Sequence, residues 1–159
     1  MKTMPPKKKK KPSQATSRGI KYGYRSGLEV NTSKHLESEG LEVLYETDRI
    51  QFEYPSRKAH YTPDFKLPKI GGFFYVETKG RWLTQDRHKH LLIREQLPHL
   101  DIRLVFSNAN AKLYKGSPTS YAAFCQKHGI RYAHKVIPPE WLEESKDANR
   151  MDEGAAHPS

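Results

Sequence analysis

Asp64, Glu77 and Lys79 are the residues of this chain whose types and spacing could carry chemistry. Side chains at i and i+2 of a strand point to the same side, so Glu77 and Lys79 share a face while Thr78 turns away. Asp64 falls on the preceding predicted strand, and a hairpin-like connection would bring its carboxylate beside that of Glu77. Two carboxylates held together repel unless a cation lies between them. Hard oxygen ligands with an open coordination sphere suit Mg²⁺ or Mn²⁺, ions that keep waters and take phosphate oxygens. Lys79, standing next to such an ion, would position an attacking water or stabilise charge developing on phosphorus. A bare D…ExK pattern is common by chance, and on a surface hairpin the same residues would only solvate a sheet. Two details favour chemistry. Residues 73–76 are almost wholly apolar, so Glu77 and Lys79 sit at the end of a buried strand, where charge is costly. Pro63 fixes the backbone just before Asp64 and ends or edges the strand there.

Glu29 has two readings. Ser26 as N-cap and Glu29 at the third helical position fit a capping box. The alternative is a third carboxylate beside the pair, and a residue serving both roles would leave the cap weak.

The elements that must position these groups alternate along the chain. Ser26–Glu39 reads as a helix with Leu28, Thr32, His35 and Leu36 on one face and Gly40 as its stop. Leu41, Val43 and Tyr45 alternate, as do Ile50, Phe52 and Tyr54, which predicts two strands. Tyr61–Phe65 and Phe73–Lys79 predict two more, joined through Pro68 and Gly71-Gly72. A helix over 86–96 ends before Pro98, Ile102–Phe106 is an apolar strand, Thr119–His128 is a helix ending at Gly129, and 138–144 is a short final helix. Intermixed strands and helices predict an α/β domain with a small mixed sheet flanked by helices.

Composition narrows the function classes. The chain has 159 residues and a formal charge of +10, unevenly spread. Residues 1–25 carry nine Lys/Arg and no acid, residues 26–56 two against seven acids, and residues 57–115 twelve against five. A basic arm with a separately basic central block is the footprint of a nucleic-acid binder. Residues 1–20, with five consecutive lysines, and residues 146–159 read as flexible tails around a single domain at 21–145. The lysine run would be a solvated tail or a DNA-tethering arm. No apolar run reaches the ~20 residues of a membrane span, and no apolar stretch follows the basic start as in a secretory leader. A single cysteine, Cys125, predicts a core thiol in a reducing compartment. On the 86–96 helix, Arg87, His90 and Arg94 form a basic stripe that is either a solvated face or a phosphate contact, and Lys112 and Lys115 flank a turn able to meet phosphates. The eight histidines show no metal-ligand spacing.

The strings RSGLE at 25–29, YTPDF at 61–65, VETKG at 76–80, HLLIREQ at 90–96 and LYKGSPTS at 113–120 occur together and in order. Together they resemble the endonuclease I family of short-tailed bacteriophages, Holliday-junction resolvases of the PD-(D/E)xK nuclease superfamily. The resemblance spans about residues 21–141 and leaves the lysine-rich start and the C-terminal tail uncovered. It implies a restriction-endonuclease-like core and a homodimer built by exchanging residues 21–54 across a bridge at 55–59, with the catalytic core at 60–145. It further implies metal-dependent nicking of branched DNA and four-way junctions, with Mg²⁺ or Mn²⁺ as cofactor, 5′-phosphate and 3′-hydroxyl products, and a bacterial host cytoplasm as the place of action. Asp64 and Glu77 match the family's metal-binding carboxylates, the Thr78 carbonyl a further ligand, Lys79 the active-site lysine and Glu29 the remaining catalytic acid. In the exchanged dimer Glu29 would come from one chain and the other three from its partner. Two alternatives stand beside this reading: a sequence- or lesion-directed nickase of the same superfamily, and a non-catalytic basic nucleic-acid-binding protein.

Overall fold

A computed structural model describes residues 24–54 and 56–155; the lysine-rich segment at 1–20 lies outside the described residues. Helix α1 (Gly27–Ser38) starts where Ser26 Oγ accepts the Glu29 N–H at 3.1 Å. It ends just before Gly40, whose φ of +73° suits a residue without a Cβ. Its buried side is Glu29, Val30, Thr32, Ser33 and Leu36, so the apolar face is rotated from the expected one and Leu28 and His35 are only partly covered.

The strands follow as β1 (Leu44–Tyr45), β2 (Ile50–Tyr54), β3 (Arg57–Tyr61), β4 (Phe65–Lys69), β5 (Gly72–Lys79), β6 (Ile102–Phe106) and β7 (Tyr132–His134). The expected strand over 61–65 is in fact two. Pro63 supplies no N–H, the ladder breaks over 62–64, and Asp64 becomes the residue that leads into β4. Strands β1, β4 and β5 pair antiparallel, and β5, β6 and β7 pair parallel, giving a five-stranded mixed sheet in the order β1-β4-β5-β6-β7. Strands β2 and β3 form a separate hairpin, closed by the Tyr54–Arg57 pair. Of the segment expected as a bridge at 55–59, Arg57, Lys58 and Ala59 lie in β3, paired with Tyr54, Glu53 and Phe52 of the same chain. The β4–β5 connection is a tight hairpin at Gly71, with φ +86°.

Three helices complete the domain: α2 (Thr84–Gln96), α3 (Tyr121–His128) and α4 (Pro139–Ala155). Helices α2 and α3 are the crossovers between the parallel strands β5, β6 and β7. Helix α4 corrects the expectation of a short last helix followed by a tail from 146. Trp141, Leu142, Ser145 and Ala148 line its buried side, Ser145 Oγ donates to the Pro68 carbonyl at 2.8 Å, and Lys146 pairs with Glu39, so the helix is held through 146 and beyond. Among the described residues, no helix is long and apolar enough to cross a membrane.

The core has three parts. Phe65, Leu67, Phe74, Val76 and Val105 pack with Val30, Leu36, Trp141 and Leu142 from α1 and α4. Leu104 and Phe106 pack with Trp82, Tyr121, Cys125 and Ile130 toward α3. Phe52 and Tyr61 of the β2–β3 hairpin pack on Ile93 of α2 and on Ile102. Cys125 is buried, and burial pushes its thiol up to about 12, so it serves as packing rather than as a nucleophile. Arg103 is wholly buried in β6 yet fully partnered. Its guanidinium lies 3.8 Å over the Phe74 ring, and it bonds Asp101 at 2.8 Å and Glu144 at 3.0 Å, tying α4 to the sheet.

Candidate active site

Glu77 and Lys79 occupy alternate positions at the C-terminal end of β5, and their side chains meet, with Lys79 Nζ 3.4 Å from Glu77 Oε1. The antiparallel register pairs Phe65 with Val76, which places Asp64 across from Glu77. Thr78, pointing to the opposite side from its two neighbours, takes the Asp64 carboxylate. Its N–H and its hydroxyl both donate to Asp64 Oδ2, at 2.9 and 2.8 Å. Glu77 Oε2 accepts from the buried Tyr61 hydroxyl at 2.8 Å. Glu29 reaches the same end of the sheet from α1. Its Oε2 accepts from the Arg25 N–H at 2.8 Å and from the Tyr45 hydroxyl, and Tyr45 is the register partner of Phe65, next to Asp64. Ser26 still caps α1, while the Glu29 carboxylate bonds one residue further back than a capping box requires. The Ser26 cap is therefore intact without the reciprocal glutamate bond, where a weak cap was expected.

The electrostatics are those of carboxylates without a full counter-charge. Burial first, then the charges of Glu77 and Glu29, push the Asp64 carboxyl up to about 7, against the opposing Thr78 hydrogen bonds. Burial likewise raises Glu77, opposed by Lys79 and by the Tyr61 hydrogen bond. Lys79 is shared with Asp86 in the first turn of α2, whose Oδ1 lies 3.8 Å away. Lys89, one turn further along α2, lies 4.8 Å over the Tyr61 ring, and burial lowers its ammonium. Neither Asp86 nor Lys89 stands out in the sequence, because only the packing of α2 on the β2–β3 hairpin turns them toward β5.

The donor set fits a hard divalent cation. Asp64 and Glu77 offer carboxylate oxygens only, and their raised carboxyls mark the place where positive charge is wanted. Among the described residues no three Asp, Glu, His or Cys side chains converge on one cation position.

The basic stripe on α2 faces the other way from what a phosphate contact needs. Arg87, His90 and Ile93 form the buried side of the helix. Arg87 donates to the Trp82 carbonyl at 2.5 Å and to Thr84 Oγ1 at 3.0 Å, while Arg94 donates to the Ile102 carbonyl at 2.7 Å. Two guanidinium groups thus satisfy backbone carbonyls at element ends. His90 packs between Tyr61 and Trp82, and burial with nearby Lys79, Lys89 and Arg94 lowers it to about 3. Trp82 itself is wholly buried in the core. Lys112 and Lys115 are exposed beside the turn at Gly116, as expected.

Comparison with known proteins places this geometry. The sequence model of the family described as Phage endonuclease I matches residues 12–156. The chain is 58% identical over 123 residues to "Endonuclease I" of Escherichia phage T7, covering 77% of this chain and 80% of that protein. It is 57% identical over 123 residues to "Endodeoxyribonuclease 1" of Enterobacteria phage T3, covering 77% of this chain and 79% of that relative. A match of this length and identity, on a mixed α/β fold with its acids and lysine gathered at one end of the sheet, makes the chain a member of the phage endonuclease I family.

Proposed function

We propose that this endonuclease is a metal-dependent, structure-selective enzyme that nicks branched DNA and resolves four-way junctions by phosphodiester hydrolysis. The observation that carries the reading is the Asp64–Glu77–Lys79 group, in which two buried carboxylates with raised affinity for protons stand beside one ammonium group. Asp64, Glu77 and the Thr78 carbonyl would hold Mg²⁺ or Mn²⁺, and the ion when bound supplies Lewis acidity and neutralises phosphate charge. Thr78 keeps Asp64 oriented, and Tyr61 does the same for Glu77. Lys79 would hold the attacking water or a non-bridging phosphate oxygen, and Glu29 adds a third acid at the edge of the site. The expected products are a 5′-phosphate and a 3′-hydroxyl. Substrate choice would rest on DNA shape and backbone charge, with steep salt dependence. Incubating a four-way junction and its separate linear arms with Mg²⁺, then with EDTA, tests the reading; cleavage of the arms as readily as the junction, or cleavage in EDTA, refutes it.

The same reading makes the protein a homodimer with exchanged segments. The β2–β3 hairpin is closed by the Tyr54–Arg57 pair, and opening it there would carry α1, β1 and β2 to a partner and preserve every contact Glu29 makes around Asp64. Complementation tests it. Glu29→Ala and Asp64→Ala chains, each inactive, are unfolded and refolded together. With exchange, one site collects both defects and the other has none, so the mixture nicks one strand. Without exchange it stays inactive.

A further inference from the structure

Each of the two glutamates flanking Asp64 is tied by a tyrosine hydroxyl. Tyr61 donates to Glu77 Oε2 at 2.8 Å, and Tyr45 donates to Glu29 Oε2. Both phenols are themselves immobilised. Tyr61 is wholly buried, edge-on to His90 at 5.4 Å between centroids and covered by Lys89. Tyr45 lies edge-on to Tyr24 at 4.4 Å and against Phe65 at 5.4 Å. A packed phenol is a rigid donor with two side-chain torsions, so each hydroxyl sits at a set point beside its carboxylate; Glu77 has the Tyr61 hydroxyl, and Glu29 has the Tyr45 hydroxyl beside the Arg25 N–H. The two donors reach the site from different strands, β3 of the separate hairpin and β1 of the main sheet. In Glu77 the division of labour is visible: Oε2 takes the phenol, and Oε1 is left to a cation, the Lys79 ammonium at 3.4 Å.

We infer that Tyr61 and Tyr45 are positioning residues of the divalent-cation site, Tyr61 holding one oxygen of Glu77 so that the other is ordered for the ion, and Tyr45 holding Glu29, together with the Arg25 N–H, at the edge of the site. The inference rests on the metal-dependent reading above. Partners that orient ligating side chains typically contribute about 10- to 100-fold to metal affinity or activity.

The test compares Tyr61→Phe and Tyr45→Phe with Tyr121→Phe, which loses a buried hydroxyl bonded to the Trp82 N–H rather than to a carboxylate. Two quantities are read: the Mn²⁺ concentration for half-maximal junction cleavage, and the rise in unfolding temperature caused by Ca²⁺ without DNA. In both clamp variants the Mn²⁺ midpoint should rise about tenfold or more. The Ca²⁺-induced rise should shrink in step, with junction affinity in EDTA unchanged. Tyr121→Phe should keep both parental values. If Tyr61→Phe does not fold, Tyr45→Phe decides alone. A cation-responsive parent with parental midpoints in the folded Phe variants overturns this inference alone. A parent that no divalent ion activates or stabilises overturns the metal-dependent reading and this inference with it.

Discussion

Burial and the charge of Glu77 push the Asp64 carboxyl up to about 7 from an ordinary 3.8, so the metal-free fold holds Asp64 at a cost whenever it is ionised. The native chain binds more protons than the unfolded one between those two values, and stability contributed by Asp64 therefore falls as pH rises through that window. Three units correspond to about 4 kcal/mol at full ionisation. Asp64→Asn removes the charge and keeps an acceptor for the Thr78 N–H and hydroxyl, while its amide can donate to Glu77. Allowing for a weaker pair of hydrogen bonds, the variant should be more stable than the parent by about 2 kcal/mol at pH 8, roughly 6–10 °C for a domain of this size. The assay is thermal unfolding in EDTA at several pH values. The difference should be largest at pH 8 and fall by about 4 kcal/mol as pH drops to 4, where the weaker hydrogen bonds leave the variant less stable than the parent. Ca²⁺ should then raise the unfolding temperature of the parent and leave Asp64→Asn nearly unmoved, and the variant should not cleave junctions. A variant less stable than the parent at pH 8, or a gain that is the same at pH 4 and pH 8, would refute the claim that Asp64 is held ionised against its environment.

Glu77→Gln and Lys79→Ala should each lower junction cleavage at least about a hundredfold while leaving binding in EDTA largely intact, as measured by single-turnover rates and gel shift. His90, lowered to about 3 by burial, is neutral in the fold, so the unfolded chain gains a proton first as pH falls below the ordinary 6.5. It should therefore destabilise the protein by up to about 1.4 kcal/mol per unit below that point, a slope that the opposite contribution of Asp64 masks and that Asp64→Asn uncovers in urea titrations between pH 4 and 6.5. Lys135 holds a φ of +69° just after β7, a left-handed conformation that costs a side-chain-bearing residue about 1 kcal/mol, and Lys135→Gly should raise the unfolding temperature slightly. Deleting residues 1–15 removes six lysines and should reduce the salt slope of duplex binding by up to about five, with junction cleavage surviving at low salt.

Much of this architecture is legible in the chain because its signals are local. Ser26 announces the start of α1, Gly40 and Gly129 the ends of two helices, and the all-apolar run 102–106 a buried strand, since each follows from a backbone preference or a period that neighbours do not override. The period of two alone puts Glu77 and Lys79 side by side, and they do meet. What tertiary structure decided is everything that depends on which face of an element is covered. Arg87, His90 and Arg94 read as a solvent stripe because they are polar, yet the carbonyls at Trp82 and Ile102 and the rings of Tyr61 and Trp82 draw that side of α2 inward. Helix α4 outruns its weak sequence signal because Ser145 and Ala148 find the sheet and Lys146 finds Glu39, a residue 107 positions away. The Thr78 hydroxyl reaches Asp64 across the β4–β5 pairing, Tyr61 reaches Glu77 from the separate β2–β3 hairpin, and Tyr45 reaches Glu29 from β1 to α1, and no spacing along the chain encodes contacts that exist only once these elements have packed.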